Sequence, residues 1–137
     1  MNTKQIIVIR TDIGMEPGKM IAQGAHASMK VFFTRCSVQT SEDPEGKIPD
    51  EHWLDVPLTP AMAEWVGGIF TKVVVQVGSE EELMALFNKA TLAGLPCALV
   101  EDVGKTVFKG VKTRTAIAIG PAEAESINPI TGHLKLL

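Results

Sequence analysis

The chain opens on an uninterrupted apolar run, Ile6-Ile7-Val8-Ile9, bounded by Lys4 and Arg10. Short and β-branched, the run predicts a strand over Lys4–Arg10 that is apolar on both faces and so central in a sheet. Pro17 stands where a missing N–H costs nothing, at the first turn of a helix that runs to about Thr34. Ile21, Ala25, Met29 and Phe32 or Phe33 recur at helical spacing and predict its buried stripe, opposite Lys19, Gln23, His26 and Lys30. Thr71–Val77 is a second β-branched run. Ser79-Glu80-Glu81-Glu82 marks a helix start: Ser79 caps, Glu82 completes a capping box, and the acids suit the positive dipole end. Leu83, Leu86, Phe87 and Ala90 form that helix's apolar stripe, and Gly94 ends it. Cys97–Val100 and Thr113–Ile119 read as third and fourth strands, the latter closed by Gly120-Pro121. A short helix over Ala122–Ile127, a turn at Asn128-Pro129 and an apolar tail that docks on the body complete the pattern.

Between the first two strands lies Ser37–Thr59, rich in acid, Pro, Ser and Thr and without a sustained period. It is expected to be a long, irregular surface excursion at about residues 37–59, with Trp53 as its possible anchor. Thr59 and Pro60 then suit the cap and first position of a short helix through Trp65, broken by Gly67-Gly68. The order strand, helix, strand, helix, strand, strand, helix is α/β, with right-handed crossovers and helices on both faces of a small sheet.

The length of 137 residues suits one domain with a real core. No apolar run nears the roughly 20 residues that span a bilayer, and the first residues lack a secretory pattern. Cys36 and Cys97 are far apart, so a reducing cytoplasm is the expected compartment. The formal net charge of −3 conceals a separation. Residues 41–64 carry Glu42, Asp43, Glu45, Asp50, Glu51, Asp55 and Glu64 against Lys47, whereas residues 103–115 carry Lys105, Lys109, Lys112 and Arg114 with no acid. Local sign, rather than the total, steers a polyanion.

Candidate chemistry gathers after two strand ends. Lys19, Gln23 and His26 fall at i, i+4 and i+7, on one face of a helix and beside its N-terminus, where negative charge is stabilised. A solvated polar face has the same spacing. The second group is Glu101-Asp102-Val103-Gly104-Lys105-Thr106, where a strand ends. A turn, with Asp102 accepting local backbone N–H bonds, also fits it. If the two strands are neighbours, one crevice holds Lys19, His26, Asp102 and Thr106. There Asp102 can orient or deprotonate a partner, His26 can shuttle a proton, and Lys19 can stabilise an oxyanion or hold a phosphate. Thr106 can position water or act as nucleophile. Such a set suits hydrolysis of an activated bond, such as an ester. The Gly18-Lys19 pair fails the Walker A pattern, no dinucleotide fingerprint follows the first strand, and His26, His52 and His133 have no metal-ligand spacing. No metal or cofactor is expected.

Three blocks resemble the peptidyl-tRNA hydrolases of the second, archaeal and eukaryotic type. They are Arg10–Met15 with Gly18-Lys19 and Ala22–Ala27; Ala93–Pro96 through Glu101–Thr106; and Thr113–Pro121 with Thr131–Leu136. The resemblance implies a three-layer α/β/α sandwich with a small mixed sheet, roughly four-stranded, often dimeric. It implies metal-free hydrolysis of the ester joining a peptide to tRNA, which frees the tRNA for reuse. The family's active-site lysine, histidine, aspartate and threonine fall on Lys19, His26, Asp102 and Thr106. Departures are Lys105 where arginine is common, the lack of Pro-Gly in Val107–Lys112, and the long acidic excursion. For tRNA, the candidate contacts are Arg10, Gln23, Lys30, Lys105, Lys109, Lys112, Thr113 and Arg114. A non-catalytic RNA- or protein-binding module on the same fold, or a hydrolase of another acylated RNA or small ester, fits the same residues.

Overall fold

The computed structural model describes residues 1–104, 108 and 110–137. The β-branched runs become strands β1 (Thr3–Arg10), β4 (Lys72–Val77), β5 (Cys97–Asp102) and β6 (Thr113–Glu123) of one sheet in the order β4-β1-β6-β5. β1 lies parallel to β4 and antiparallel to β6, and β6 is antiparallel to β5, so the sheet is mixed. Helix α1 (Pro17–Phe33) connects β1 to the excursion. Helices α2 (Pro60–Gly67), α3 (Glu80–Leu92) and α4 (Ala124–Thr131) follow in chain order.

Strand alternation sends side chains into two cores. Ile6, Val8, Val75, Val77, Ile117 and Ile119 pack against Leu83, Leu86 and Ala90 of α3 and Ile127 and Ile130 of α4. On the other face, Ile7, Ile9, Ala98, Val100, Ala116 and Ala118 meet Ala27 and Val31 of α1 and Met62 of α2. The result is the expected three-layer α/β/α arrangement. Among the described residues no helix is long and apolar enough to cross a membrane.

The caps are where the sequence places them. Thr59 Oγ1 accepts from Met62 N, and Ser79 Oγ accepts from Glu82 N. The Glu82 carboxylate reaches back to Gly78 N, one residue earlier than a standard capping box. Gly94, at φ +71°, ends α3. The tail docks as an added strand on β4: Gln76 N donates to the Lys135 carbonyl and Leu137 N to that of Val74. That contact closes one otherwise open sheet edge.

Four expectations need correction. Helix α1 buries Gln23, Gly24, Ala27 and Val31, while Ile21, Ala25 and Met29 lie exposed. Small residues let the helix approach the sheet, and hydrogen bonding makes Gln23 burial tolerable. Only Phe32 of the expected stripe packs inward, stacking on Trp65 at 5.7 Å between ring centroids. The excursion is an ordered hairpin of β2 (Ser37–Ser41) and β3 (Glu51–Asp55). Its tip is organised by Asp43, whose carboxylate accepts from the backbone N–H groups of Glu45, Lys47 and Ile48. Trp53 does not anchor it, being 47% exposed; Arg35 Nε, bonded to the Pro57 carbonyl, ties its base. Finally, β6 continues to Glu123, and α4 carries Pro129 inside it where a turn was expected.

Candidate active site

Asp102 is the last residue of β5, and α1 begins two strands away, across β6. The first turns of α1 reach over that gap. Asp102 Oδ2 accepts from Lys19 Nζ at 2.5 Å and from Gln23 Nε2 at 2.8 Å. Asp102 Oδ1 accepts from Gly104 N at 2.7 Å. The turn and the site are therefore the same structure, one carboxylate oxygen serving each. Gly104 holds that turn at φ +80°, and a Cβ there would lie 2.6 Å from backbone atoms of Val111. Only glycine fits.

Gln23, just 2% exposed, is not positioned to touch a ligand. Its Oε1 accepts from Thr115 Oγ1 at 3.1 Å while its amide group donates to Asp102. A buried chain Thr115–Gln23–Asp102 thus fixes the carboxylate from behind. The sequence pattern does not single out Thr115 as a site residue. The signal that could have found it is a hydroxyl opening the run Ala116-Ile117-Ala118-Ile119, where burial requires a partner.

The Lys19 ammonium, then the Gly104 N–H, hold the Asp102 carboxyl below the ordinary carboxylate range, against a weaker opposing effect of burial. Asp102 is therefore an ionised acceptor at neutral pH, suited to aiming a cation. Lys19 also sits 5.8 Å from the Phe108 ring centroid.

His26 lies near one helical turn past Gln23 and is exposed. Among the described residues it makes no side-chain hydrogen bond. It lines an open groove of about 560 Å³ with Met29, Lys30, Phe33, Val100 and Glu101. A second groove of about 520 Å³ flanks α1 on its β1–β4 side, away from Asp102, and is lined mainly by apolar residues such as Ile7, Ile9, Ile21 and Val74. The chemistry belongs to the first flank, because Lys19, Gln23 and Asp102 meet there.

The expected tRNA contacts separate into groups. Arg10 is 9% exposed, with Nε and Nη2 on the Asp12 carboxylate and Nη1 on the Arg114 carbonyl. Its guanidinium holds the Asp12 carboxyl below its usual range. Arg10 is thus a strut between β1 and β6. Arg114 faces Glu101 at 3.4 Å and Glu80 at 3.9 Å, so the acid-free run in sequence is not acid-free in space. Lys30 Nζ caps the Leu99 carbonyl at 2.6 Å, and Thr113 Oγ1 donates to the Val111 carbonyl. Lys112 is exposed. Lys105, Thr106 and Lys109 lie outside the described residues.

The family Peptidyl-tRNA hydrolase PTH2 matches residues 3–137. The chain belongs to this family. A peptidyl-tRNA hydrolase of Methanocaldococcus jannaschii is 43% identical over 134 residues, covering 98% of this chain and 99% of that one. One from Halobacterium salinarum is 40% identical over 133 residues, 97% of this chain and 98% of its own. One from Aeropyrum pernix is 40% identical over 133 residues, 97% and 94%. In this PTH2-family chain, the cation–carboxylate pair at the strand ends thus sits in the setting of a tRNA ester hydrolase.

Proposed function

We propose that the chain hydrolyses the ester between a peptide and tRNA through Lys19, Asp102 and His26, with Gln23 and Thr115 holding Asp102. The observation that carries this is the Asp102 oxygen shared by Lys19 Nζ and Gln23 Nε2 where β5 and α1 meet. Water adds to the ester carbonyl carbon, its oxygen becomes an oxyanion, and the ribose oxygen then leaves. Lys19 offers its positive charge to that oxyanion, and the α1 N-terminus adds a field of the same sign. Asp102, ionised and bonded three times, aims the ammonium and takes no proton. His26 is open to solvent and substrate. It accepts a proton from the attacking water and returns one to the ribose oxygen. The products are a free peptide carboxyl and a free ribose hydroxyl. Thr106 keeps the water-positioning role its place in sequence supports.

The tRNA track we assign to the exposed Lys112 with Lys105 and Lys109, which follow Asp102 in the chain. Arg10 contributes by holding the backbone of Arg114. The chain reads as one domain over residues 1–137, with the hairpin as its surface excursion. A homodimer and a cytoplasmic location complete the proposal. The apolar flank of α1 leaves Ile21 and Ala25 exposed for a second copy to cover, and the free thiols of Cys36 and Cys97 suit a reducing compartment. Sedimentation as a monomer at micromolar concentration would remove the dimer. Deacylation of N-acetyl-aminoacyl-tRNA and of free aminoacyl-tRNA tests the activity. Release from the blocked substrate is expected; release only from the free one would overturn the proposal.

A further inference from the structure

The substrate has two ends, and the residues around His26 distinguish them. We infer that the groove between α1 and the edge strand β5 is the subsite for apolar side chains at the carboxyl end of the peptide, an assignment that rests on the hydrolase function proposed above. The groove of about 560 Å³ is a volume typical of small-ligand sites and starts at His26 itself. Beyond His26 its apolar lining is Met29, Phe33 and Val100, with Lys30 and Glu101 at the rim. Met29 is 51% and Phe33 48% exposed, and neither belongs to the buried face of α1. With the helical rise of about 1.5 Å per residue, Met29 stands roughly 4.5 Å beyond His26 along the axis and Phe33 roughly 10 Å. A carbonyl reacting beside His26 thus has its own side chain near Met29 and the preceding residue near Phe33.

The opposite occupant, the RNA, fits this groove poorly. Its charged rim is one Lys30 and one Glu101, with no net attraction for phosphate. Along β5, Val100 and Glu101 precede Asp102, whereas the exposed Lys112 lies past the Asp102–Thr113 pair that ends the β5–β6 ladder. The ester at Asp102 then divides RNA on one side from peptide on the other. Strand addition to β5 is also obstructed, because Lys30 Nζ already caps the Leu99 carbonyl. Recognition through side chains remains.

The test compares N-acetylphenylalanyl and N-acetylglycyl esters carried by the same tRNA, with wild type, Met29→Ser and Phe33→Ser. Both residues are surface-exposed, and the glycyl substrate reports folding within the same experiment. The wild type is expected to favour the phenylalanyl ester in kcat/KM. Met29→Ser should reduce that preference about tenfold, in the range expected for losing part of a buried large side chain's transfer energy. With an acetylated dipeptide ester, Phe33→Ser should reduce the preference for an apolar penultimate residue. An unchanged preference, or equal loss on both substrates, would overturn the subsite; equal loss would assign the groove to the terminal adenosine. A wild type inert on both esters would instead overturn the hydrolase function itself.

Discussion

Replacing Gln23 with Leu keeps the side chain's approximate size but removes two hydrogen bonds at once. Asp102 loses one of three donors, and Thr115 Oγ1 loses its acceptor inside the core. A hydrogen bond to a charged group contributes about 1.5–3 kcal/mol, and a buried hydroxyl left unsatisfied costs about 1–3 kcal/mol. Leucine's greater burial energy offsets part of this, leaving a destabilisation of about 2–4 kcal/mol. For a chain of this length each kcal/mol shifts Tm by roughly 3–5 °C. Urea denaturation of Gln23→Leu, Thr115→Val and the double variant at neutral pH measures it. Thr115→Val removes the stranded hydroxyl, so the double variant should recover part of the loss, with a coupling of about 0.5–3 kcal/mol. Turnover should fall in both Gln23→Leu variants, because the Asp102 carboxylate then keeps its bonds to Lys19 and Gly104 but loses the buried support behind it. Strict additivity with full activity would refute the buried chain as the support of the site.

Further expectations follow from the same geometry. Because Asp102 ionises at lower pH folded than unfolded, its stabilisation is complete above the unfolded pKa of about 3.9 and is lost as pH falls through the depressed folded value. The stability gap between wild type and Asp102→Asn, followed by denaturant titration, should therefore be constant from neutral pH to about 5 and narrow below 4. Lys112→Glu should raise KM for peptidyl-tRNA and flatten its salt dependence, by a slope of about 0.7–0.9 for each phosphate no longer neutralised. Replacing residues 37–55 with a short Gly/Ser linker should leave hydrolysis within about threefold, since the hairpin lines neither groove beside α1.

The strands, the caps of α2 and α3 and the meeting of Lys19 with Asp102 were legible because each rests on local pattern or on residues at strand ends. The face of α1 was not. Ile21 and Met29 are larger and more apolar than Gly24 and Ala27, so periodicity favours their face. Close helix–sheet packing selects the smaller residues, and only the partners Asp102 and Thr115, distant in sequence, make buried Gln23 stable. The hairpin was hidden because its stability draws on Asp43 bonding the tip and not on alternating hydrophobicity. Arg10 and Arg114 look like phosphate ligands in a charge count. Asp12, two residues on, pairs with Arg10 locally, whereas Glu101 and Glu80 reach Arg114 only once β5 pairs with β6 and α3 packs on the sheet.

Single-turnover deacylation of N-acetyl-aminoacyl-tRNA by wild type and Lys19→Met tests the central claim most directly, with the melting transition of each protein recorded beside it. Met keeps the stem and removes the charge. Loss of one preorganised oxyanion stabiliser typically costs about 10²–10³-fold. The account predicts a slowing of that order in a folded protein. A folded Lys19→Met variant that releases tRNA at the wild-type rate would contradict it.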